Sequence, residues 1–173
     1  MIASRLNRAL SGFFAIALGL CFLAIAAAFA QDEPDLNTIP KVVMDGLLAK
    51  FPKAEIHQWT QEKEGDLVIY DFEFKQEGWK FEADVKEDGS IFNWERAIKA
   101  QALPEVVKKA VEMRYPKAEL EEIMEITAVT EGKEALEGYE IVLKTADKKD
   151  VEVTVAPDGK ILEDSGEMKP EEE

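Results

Sequence analysis

The sequence predicts an α+β fold made of two tandem repeats, each a helix followed by a four-stranded antiparallel sheet, with both helices on one side of the sheet. Three observations predict it. The hexapeptide FPKAEI at residues 51–56 returns as YPKAEL at residues 115–120. Apolar residues at helical spacing precede each copy, and alternation with a period of two follows each copy. One supersecondary unit, used twice, explains all three observations.

The first thirty residues are typical of a secretory signal peptide. Arg5 and Arg8 supply a positive start, an apolar run follows over residues 10–29, and a small-x-small pattern ends at Ala30. Cleavage after Ala30 predicts a periplasmic or extracellular protein. The apolar run is also long enough to span a bilayer, so the alternative is that the segment is not cleaved and anchors the protein in the membrane. Residues 31–37 are a short polar linker.

The exported chain is strongly acidic. Without Arg5 and Arg8 it has 19 basic and 36 acidic residues, a formal net charge of −17. Such a surface repels nucleic acid and anionic lipid, so we expect no nucleic-acid partner and no stable membrane association after cleavage. Cys21 leaves with the signal, so neither a disulfide nor a thiolate site can form. The charge favours a basic partner or loosely held cations.

The repeated hexapeptide belongs to a longer duplication. Residues 39–56 align with residues 103–120 at a constant offset of 64, with seven identities in eighteen positions. Repeat 1 is predicted over residues 38–100 and repeat 2 over residues 101–163. Residues 164–173 have little to bury and are predicted to be a disordered acidic tail. Neither repeat is large enough to be stable alone, so we expect the two sheets to meet edge to edge or through their helices.

Each repeat begins with a predicted helix. Pro40 suits the first helical position, where a missing N–H is harmless. Val43, Leu47 and Phe51 then form one apolar stripe, which we expect to be buried against the sheet, and Pro52 ends the helix. The second copy repeats this pattern with Pro104, Val107, Val111, Tyr115 and Pro116.

Strands follow each helix. Their apolar residues alternate with polar ones, which is typical of half-buried strands. The predicted inward positions are Val68, Tyr70, Phe72, Phe74, Trp79, Phe81, Ala83 and Val85 in repeat 1, and Tyr139, Ile141, Leu143, Val151, Val153 and Val155 in repeat 2. The segments EDG at 87–89 and PDG at 157–159 predict tight turns into short final strands. Extra residues in TEGKEALEG predict a longer first hairpin in repeat 2.

These phrases carry a resemblance to a known family. The segments IPKVV…FPKAEI and LPEVVKKAVEMRYPKAEL, with the closing EDGSI and PDGKIL, resemble the PepSY-like family, also described as β-lactamase-inhibitor-like proteins. The resemblance covers residues 38–163. It implies an exported α+β module whose relatives occur in propeptides of secreted metallopeptidases and are thought to bind or restrain such enzymes. The family motif defines no binding residues that could be transferred to this chain.

The residues themselves argue against catalysis. After the signal the chain has one histidine, His57, and two serines, Ser90 and Ser165, without a nucleophile-elbow sequence. A single histidine without cysteine is a poor ligand set for transition metals, and the two Asp-Gly turns lack the acidic spacing of a calcium loop. We therefore expect no enzyme activity, no cofactor and no metal site. The alternative is a pair of catalytic carboxylates like that of a glycosidase, although no sequence feature singles out two of the 36 acids.

Three aromatic residues are the candidate protein-binding site. Counting the alternation from Ile56 and Ile91 places Trp59, Phe92 and Trp94 on the sheet face opposite the helices, unless a bulge intervenes. Large exposed aromatic side chains are favoured interface anchors; the alternative is that they pack where the repeats join. The sequence thus predicts an exported non-catalytic module that binds a protein, such as a secreted enzyme. A structural or cation-associating envelope protein is the alternative, and an unrecognised hydrolase is a third class.

Overall fold

The computed structural model describes residues 34–64 and 67–166, and in this part a helix followed by four strands occurs twice. The elements of the first half are α1 Lys41–Lys50, β1 Glu55–Glu64, β2 Leu67–Gln76, β3 Trp79–Lys86 and β4 Ile91–Ala97. Those of the second half are α2 Glu105–Arg114, β5 Glu119–Thr130, β6 Lys133–Lys144, β7 Asp150–Val155 and β8 Ile161–Asp164. The predicted α+β class is confirmed.

Several predicted segments fall at the ends of the chain. The predicted signal peptide at residues 1–30 lies outside the described residues, as do residues 167–173 of the predicted tail. The predicted linker contains the start of a single 3-10 turn, Leu36–Thr38. Asp164, assigned to the tail, is the last residue of β8. Within the described ranges, neither helix is long and apolar enough to cross a membrane.

The helices begin and end where the prolines require. Pro40 was predicted to be the first residue of the helix, but α1 begins one residue later, at Lys41. The carbonyl of Pro40 accepts the N–H of Met44 at 3.2 Å. Phe51 ends the helix by donating its N–H to the carbonyl of Leu47 at 2.8 Å, and Pro52 cannot continue the ladder. Pro104 and Tyr115 occupy the same positions around α2. The local sequence therefore determines both helix lengths.

All eight strands form one antiparallel sheet in chain order. The two halves meet edge to edge, because β4 pairs with β5 over residues 93–97 and 124–128. This is one of the two arrangements that the sequence left open. The β5–β6 hairpin has twelve-residue strands against ten in β1 and β2, so the predicted longer hairpin is also present.

Both helices cover the same side of the sheet. Arg96 of β4 lies opposite Glu125 of β5, and Nη2 of Arg96 is 3.2 Å from a carboxylate oxygen of Glu125. On its other side Arg96 pairs with Phe81, which is buried under α1, while Glu125 pairs with Tyr139, which is buried under α2. Paired residues of neighbouring strands share a face. Neither α1 nor α2 therefore covers the opposite face of the sheet.

Each helix covers its own hydrophobic cluster. The residues buried under α1 are Ile39, Val43, Leu47, Phe51, Tyr70, Phe72, Phe74, Phe81, Ala83 and Val85. Those under α2 are Leu103, Val107, Ala110, Val111, Ile123, Tyr139, Ile141, Leu143, Val151, Val153 and Val155. Of the predicted helix stripe only Tyr115 is partly buried, and its hydroxyl donates to the Asp164 carboxylate. Trp79, predicted to face inward, is exposed at the start of β3.

The EDG turn packs directly against α1. A side chain at Gly46 would place its Cβ 1.9 Å from the carbonyl oxygen of Gly89. Gly89 has φ +83°, a conformation that favours glycine, and a Cβ there would lie 2.4 Å from the carbonyl oxygen of Val42. Two glycines thus allow the backbone of the turn to approach the backbone of the helix.

A β-bulge in β1 corrects the predicted position of Trp59. Ile56 pairs with Phe74 and Gln58 pairs with Glu73, so His57 is one extra residue in the strand. The extra residue shifts the alternation by one position. Trp59 therefore lies on the same side as Ile56, against the cluster under α1, and the predicted outward orientation is wrong.

A second bulge does the same in β4. Ile91 pairs with Val85 and Asn93 pairs with Asp84, which leaves Phe92 as the extra residue. Trp94 consequently returns to the helix side and packs against the cluster under α1, so its predicted outward orientation is also wrong. Phe92 keeps the orientation that was predicted.

Candidate functional site

The sheet face opposite α1 and α2 contains an acidic groove of about 200 Å³. Every strand contributes to its lining, from Glu62 on β1 to Glu163 on β8, so the sheet curves around it. Nine of the sixteen lining residues are Asp or Glu, and no Lys or Arg is among the described residues that line it. We call this site the acidic groove.

Strand alternation produces the acidic face directly. In β2 the segment YDFEF sends its aromatic residues toward α1, which leaves Asp71 and Glu73 on the other side. In β3 the segment FEAD does the same with Glu82 and Asp84. The register then places Asp71 opposite Asp84 and Glu73 opposite Glu82, while Glu95 of β4 is also opposite Glu82. Like charges directly opposite each other destabilise a sheet.

Burial and repulsion raise the pKa values of these carboxyl groups. The pKa of Asp71 rises to about 7, chiefly because the group is buried and then because Asp84, Glu82 and other acids surround it. The pKa of Asp84 rises to about 6, again mainly through burial. That increase is limited because Nδ2 of Asn93 donates to Oδ2 of Asp84 at 3.0 Å and stabilises the ionised form.

Glu95 has one carboxylate oxygen that is closed off from solvent. Its Oε2 atom is inaccessible to solvent and has no hydrogen-bond partner among the described residues. Burial raises its pKa well above the ordinary value, and the nearby charge of Glu140 adds to this. Burial likewise raises the pKa of Glu140, with Glu152 as its main repulsive neighbour. The two acids stand on β4 and β6, which belong to different halves of the sheet.

Lys80 partly compensates the charge beside the acidic groove. Its Nζ atom is 2.8 Å from Glu82 and 3.1 Å from Glu122. Burial alone would lower the pKa of Lys80, but these two carboxylates raise it above its ordinary value. Lys80 is therefore a permanent cation that is already held by two acids, and its charge also opposes the rise in the pKa of Glu140.

Apolar side chains lie among the acids. Ile126 of β5 is directly opposite Glu95 in the register and lines the acidic groove, as do Ile69, Phe92 and Leu162. The ring of Phe92 has the Lys86 ammonium 5.5 Å from its centroid. The acidic groove thus combines carboxylates with apolar walls.

The structure separates the three predicted aromatic site residues. Phe92 lines the acidic groove. Trp59 stacks on Tyr70 at 6.3 Å between ring centroids, and its Nε1 donates to the carbonyl of Asp35 at 3.3 Å. The Trp94 ring is 6.0 Å from that of Phe51 and lies under the Lys50 ammonium at 4.7 Å.

The acids are the residues that the sequence analysis missed as a site. Asp71 and Glu73 were visible as the polar half of an alternating strand. Nothing in a single strand reveals which acids of other strands will face them across a curved sheet, and Glu95 comes next to Glu140 only because β4 pairs with β5.

The structure shows the surroundings of the residues considered for catalysis and for metal binding. His57 is exposed at the bulge of β1. The Ser90 hydroxyl donates to Asp88 at 2.6 Å, and Oγ of Ser165 accepts the N–H of Glu152 at 2.8 Å. Within the described ranges, no three His, Cys, Asp or Glu side chains converge as a metal-binding group.

Comparison with known proteins identifies the fold. No protein-family profile and no curated protein matches this chain. A protein assigned to the periplasm of Bacteroides eggerthii superposes with a TM-score of 0.56 at 13% identity, covering 73% of this chain and 87% of that protein. A DUF2874 family protein of Bacteroides ovatus gives 0.53 at 17% identity, covering 73% and 86%. A BLIP-like protein of Bacteroides fragilis gives 0.49 at 16% identity, covering 73% and 84%.

The chain has the fold of the two proteins with the higher TM-scores. The predicted export agrees with the periplasmic assignment of one of them. Identities of 13% and 17% establish a shared fold and leave the function to be argued from the acidic groove.

Proposed function

We propose that this chain is an exported, non-catalytic binding module of the periplasm that recognises a basic surface of another protein through the acidic groove. One observation carries the proposal: Oε2 of Glu95 is buried without a hydrogen-bond partner among the described residues, inside a groove lined by eight other acids. Leaving a buried acceptor unpaired costs about 1–3 kcal/mol, so an arrangement that served folding alone would place a neutral residue here. A basic partner would supply the missing donor.

The two halves of the sheet are built alike. Both halves have the same element order and carry a bulge at the same place in their first strand, between Ile56 and Gln58 and between Leu120 and Glu122. A tandem PepSY-like repeat accounts for this. The resemblance to that family points to a secreted enzyme, such as a peptidase, as the restrained partner. We also propose that binding inhibits that enzyme.

The aromatic part of the proposed surface is reduced to Phe92. Trp59 and Trp94 pack against the cluster under α1, where they contribute to stability. Phe92 lies beside the acids and can supply apolar contact area to a partner. The surrounding carboxylates would increase the association rate with a basic partner, an effect that salt weakens.

Site-specific photo-crosslinking tests this proposal. A benzophenone amino acid replaces Phe92 in the acidic groove or, as a matched control, Met113, which is 78% exposed on α2. Each protein is irradiated with the producing cell's exported proteins, and adducts are identified by mass spectrometry. We expect one adduct that forms from position 92 and is absent from position 113.

The captured protein is then purified and its affinity measured by calorimetry. We expect the double variant Glu95→Gln/Glu140→Gln to bind at least tenfold more weakly than the unmodified chain, because neither side chain can then ionise to pair with a basic group. The control Glu105→Gln/Glu112→Gln changes the same charge on the exposed surface of α2 and should bind normally. Equal loss in both variants, or no adduct at position 92, contradicts the proposal.

A further inference from the structure

We propose that the acidic groove accepts a single lysine or arginine side chain of the partner, with its cationic head at Glu95 and its methylene stem against Ile126 and Phe92. This inference rests on the proposed function and names the chemical group that the acidic groove recognises. Three features of the groove lead to it: its size, the distribution of its acids and its apolar walls.

The volume suits one side chain. About 200 Å³ is below the roughly 300–1,000 Å³ of pockets that hold drug-sized ligands. A long side chain projecting from a partner's surface can occupy a cavity of this size without requiring the partner's backbone to enter it. Its apolar stem would contact the apolar wall and its charged end would reach the acids.

The acids are distributed in a way that suits a side-chain cation better than a metal ion. Glu82, Glu95 and Glu140 stand on three different strands, and neighbouring strands are about 4.8 Å apart. Calcium requires six to eight oxygen ligands at about 2.3–2.6 Å, whereas the described residues contain no converging set of even three acids. An ammonium or guanidinium group carries several N–H donors pointing in different directions, so it can serve separated carboxylates at once.

The apolar contacts lie next to the carboxylate of Glu95. Ile126 is the direct cross-strand neighbour of Glu95, and Phe92 lies three residues before Glu95 on β4. A cation placed at Glu95 would give its unpaired Oε2 a donor and reduce the repulsion from Glu140. A neutral polar side chain could supply the hydrogen bond but would leave the repulsion unchanged.

A peptide titration tests the inference without the natural partner. The probes are acetyl-Gly-Gly-Arg-Gly-Gly-amide and the same peptide with citrulline, which keeps the shape of arginine and removes its charge. The target is the chain without residues 1–30, with its isoleucine methyl groups labelled for NMR, and calcium chloride is titrated separately. We expect the arginine peptide to shift the Ile126 methyl signal saturably, and the citrulline peptide to bind at least tenfold more weakly.

Variants locate the binding site. Glu95→Gln should weaken the arginine peptide at least fivefold, and Glu112→Gln on the exposed surface of α2 should not change it. Thermal unfolding confirms that Glu95→Gln is folded; if it is not, Glu140→Gln replaces it with the same expectation. The inference is overturned if the citrulline peptide binds as tightly as the arginine peptide, or if these variants bind the arginine peptide with unchanged affinity. It is also overturned if calcium shifts the Ile126 signal saturably at a lower concentration than the arginine peptide does.

The two proposals can fail separately. If the crosslinked partner binds the Glu95→Gln/Glu140→Gln variant weakly but the arginine peptide does not shift Ile126, the protein-binding function stands and the inserted side chain is wrong. If the peptide binds at Glu95 but no partner is captured through position 92, the cation site stands and the protein-binding function is wrong.

Discussion

Raising the pH from 5 to 8 is expected to destabilise the folded chain, because acids of the acidic groove must ionise where they are buried together. The folded pKa of Asp71 is about 7 and that of Asp84 about 6, against an ordinary value of 3.8. Groups with a raised folded pKa contribute stability that is fully present below the unfolded pKa and is lost as the pH rises through the folded one. For these two groups the loss should therefore extend from about pH 4 to about pH 7, and Glu140, with a pKa of about 8, continues it toward pH 8.

The magnitude follows from the part of this window that lies above pH 5. Two pKa units separate pH 5 from the pKa of Asp71, which corresponds to about 2.7 kcal/mol at 1.36 kcal/mol per unit. The one unit for Asp84 adds about 1.4 kcal/mol. Since the two groups face each other and titrate together, their sum of about 4 kcal/mol is an upper limit for this pair, and we expect the pair to contribute about 2–4 kcal/mol. Glu140, whose pKa rises to about 8, adds a further loss in the same direction.

Urea unfolding of the chain without residues 1–30 at pH 5, 6, 7 and 8 measures this directly. The asparagine side chain of Asp71→Asn stays neutral throughout, so the free energy of unfolding of this variant should decline less between pH 5 and pH 8. The control Glu112→Gln, at an exposed position on α2, should show the full decline. Asp88 and Asp164 have lowered pKa values and lose their contributions only at more acidic pH, outside the window. A free energy of unfolding that is constant or increases toward pH 8 would refute the burial argument.

Three further predictions concern the helix side. Leu47→Ala should lower the free energy of unfolding by about 2–5 kcal/mol because Leu47 is fully buried, while Leu48→Ala, at a 38% exposed position, should change it far less in the same urea titration. Gly89→Ala should destabilise more than Gly78→Ala, because both have φ +83° but only at Gly89 does a Cβ meet the α1 backbone; equal losses would contradict the close approach. Trp94→Ala should lower the melting temperature and leave affinity for the crosslinked partner unchanged once both proteins are folded, and selective loss of affinity would return Trp94 to the binding surface.

Local patterns in the sequence predicted most of the fold. The prolines and the four-residue spacing gave the helices, and alternation gave β2, β3, β6 and β7, because each of these signals depends only on neighbouring residues. The buried positions Val43, Leu47 and Val107 follow from the same spacing. The choice between joining the halves edge to edge and through the helices needed the structure, since both bury the apolar stripes.

The predicted binding face stays a prediction, and of its three aromatic residues the structure places only Phe92 on that face. His57 and Phe92 each add one residue to a strand, and the pattern around them is compatible with either face. A bulge is selected by pairing with the neighbouring strand, so one strand read alone does not reveal it. Counting without the bulges carries Trp59 and Trp94 to the outer face, where the structure has acids instead.

The same carboxylates that destabilise the fold make the acidic groove suitable for a cation. Protonation and a bound basic side chain both relieve the repulsion between Glu95 and Glu140, so the two compete for the same acids. A partner that binds the ionised groove must displace the protons held by groups with raised pKa values, and its affinity must then increase with pH while the stability of the free chain decreases. Opposite pH trends in stability and affinity are therefore what distinguishes a groove built for a cation from a surface that is merely acidic, because exposed acids far from one another change neither property between pH 5 and 8.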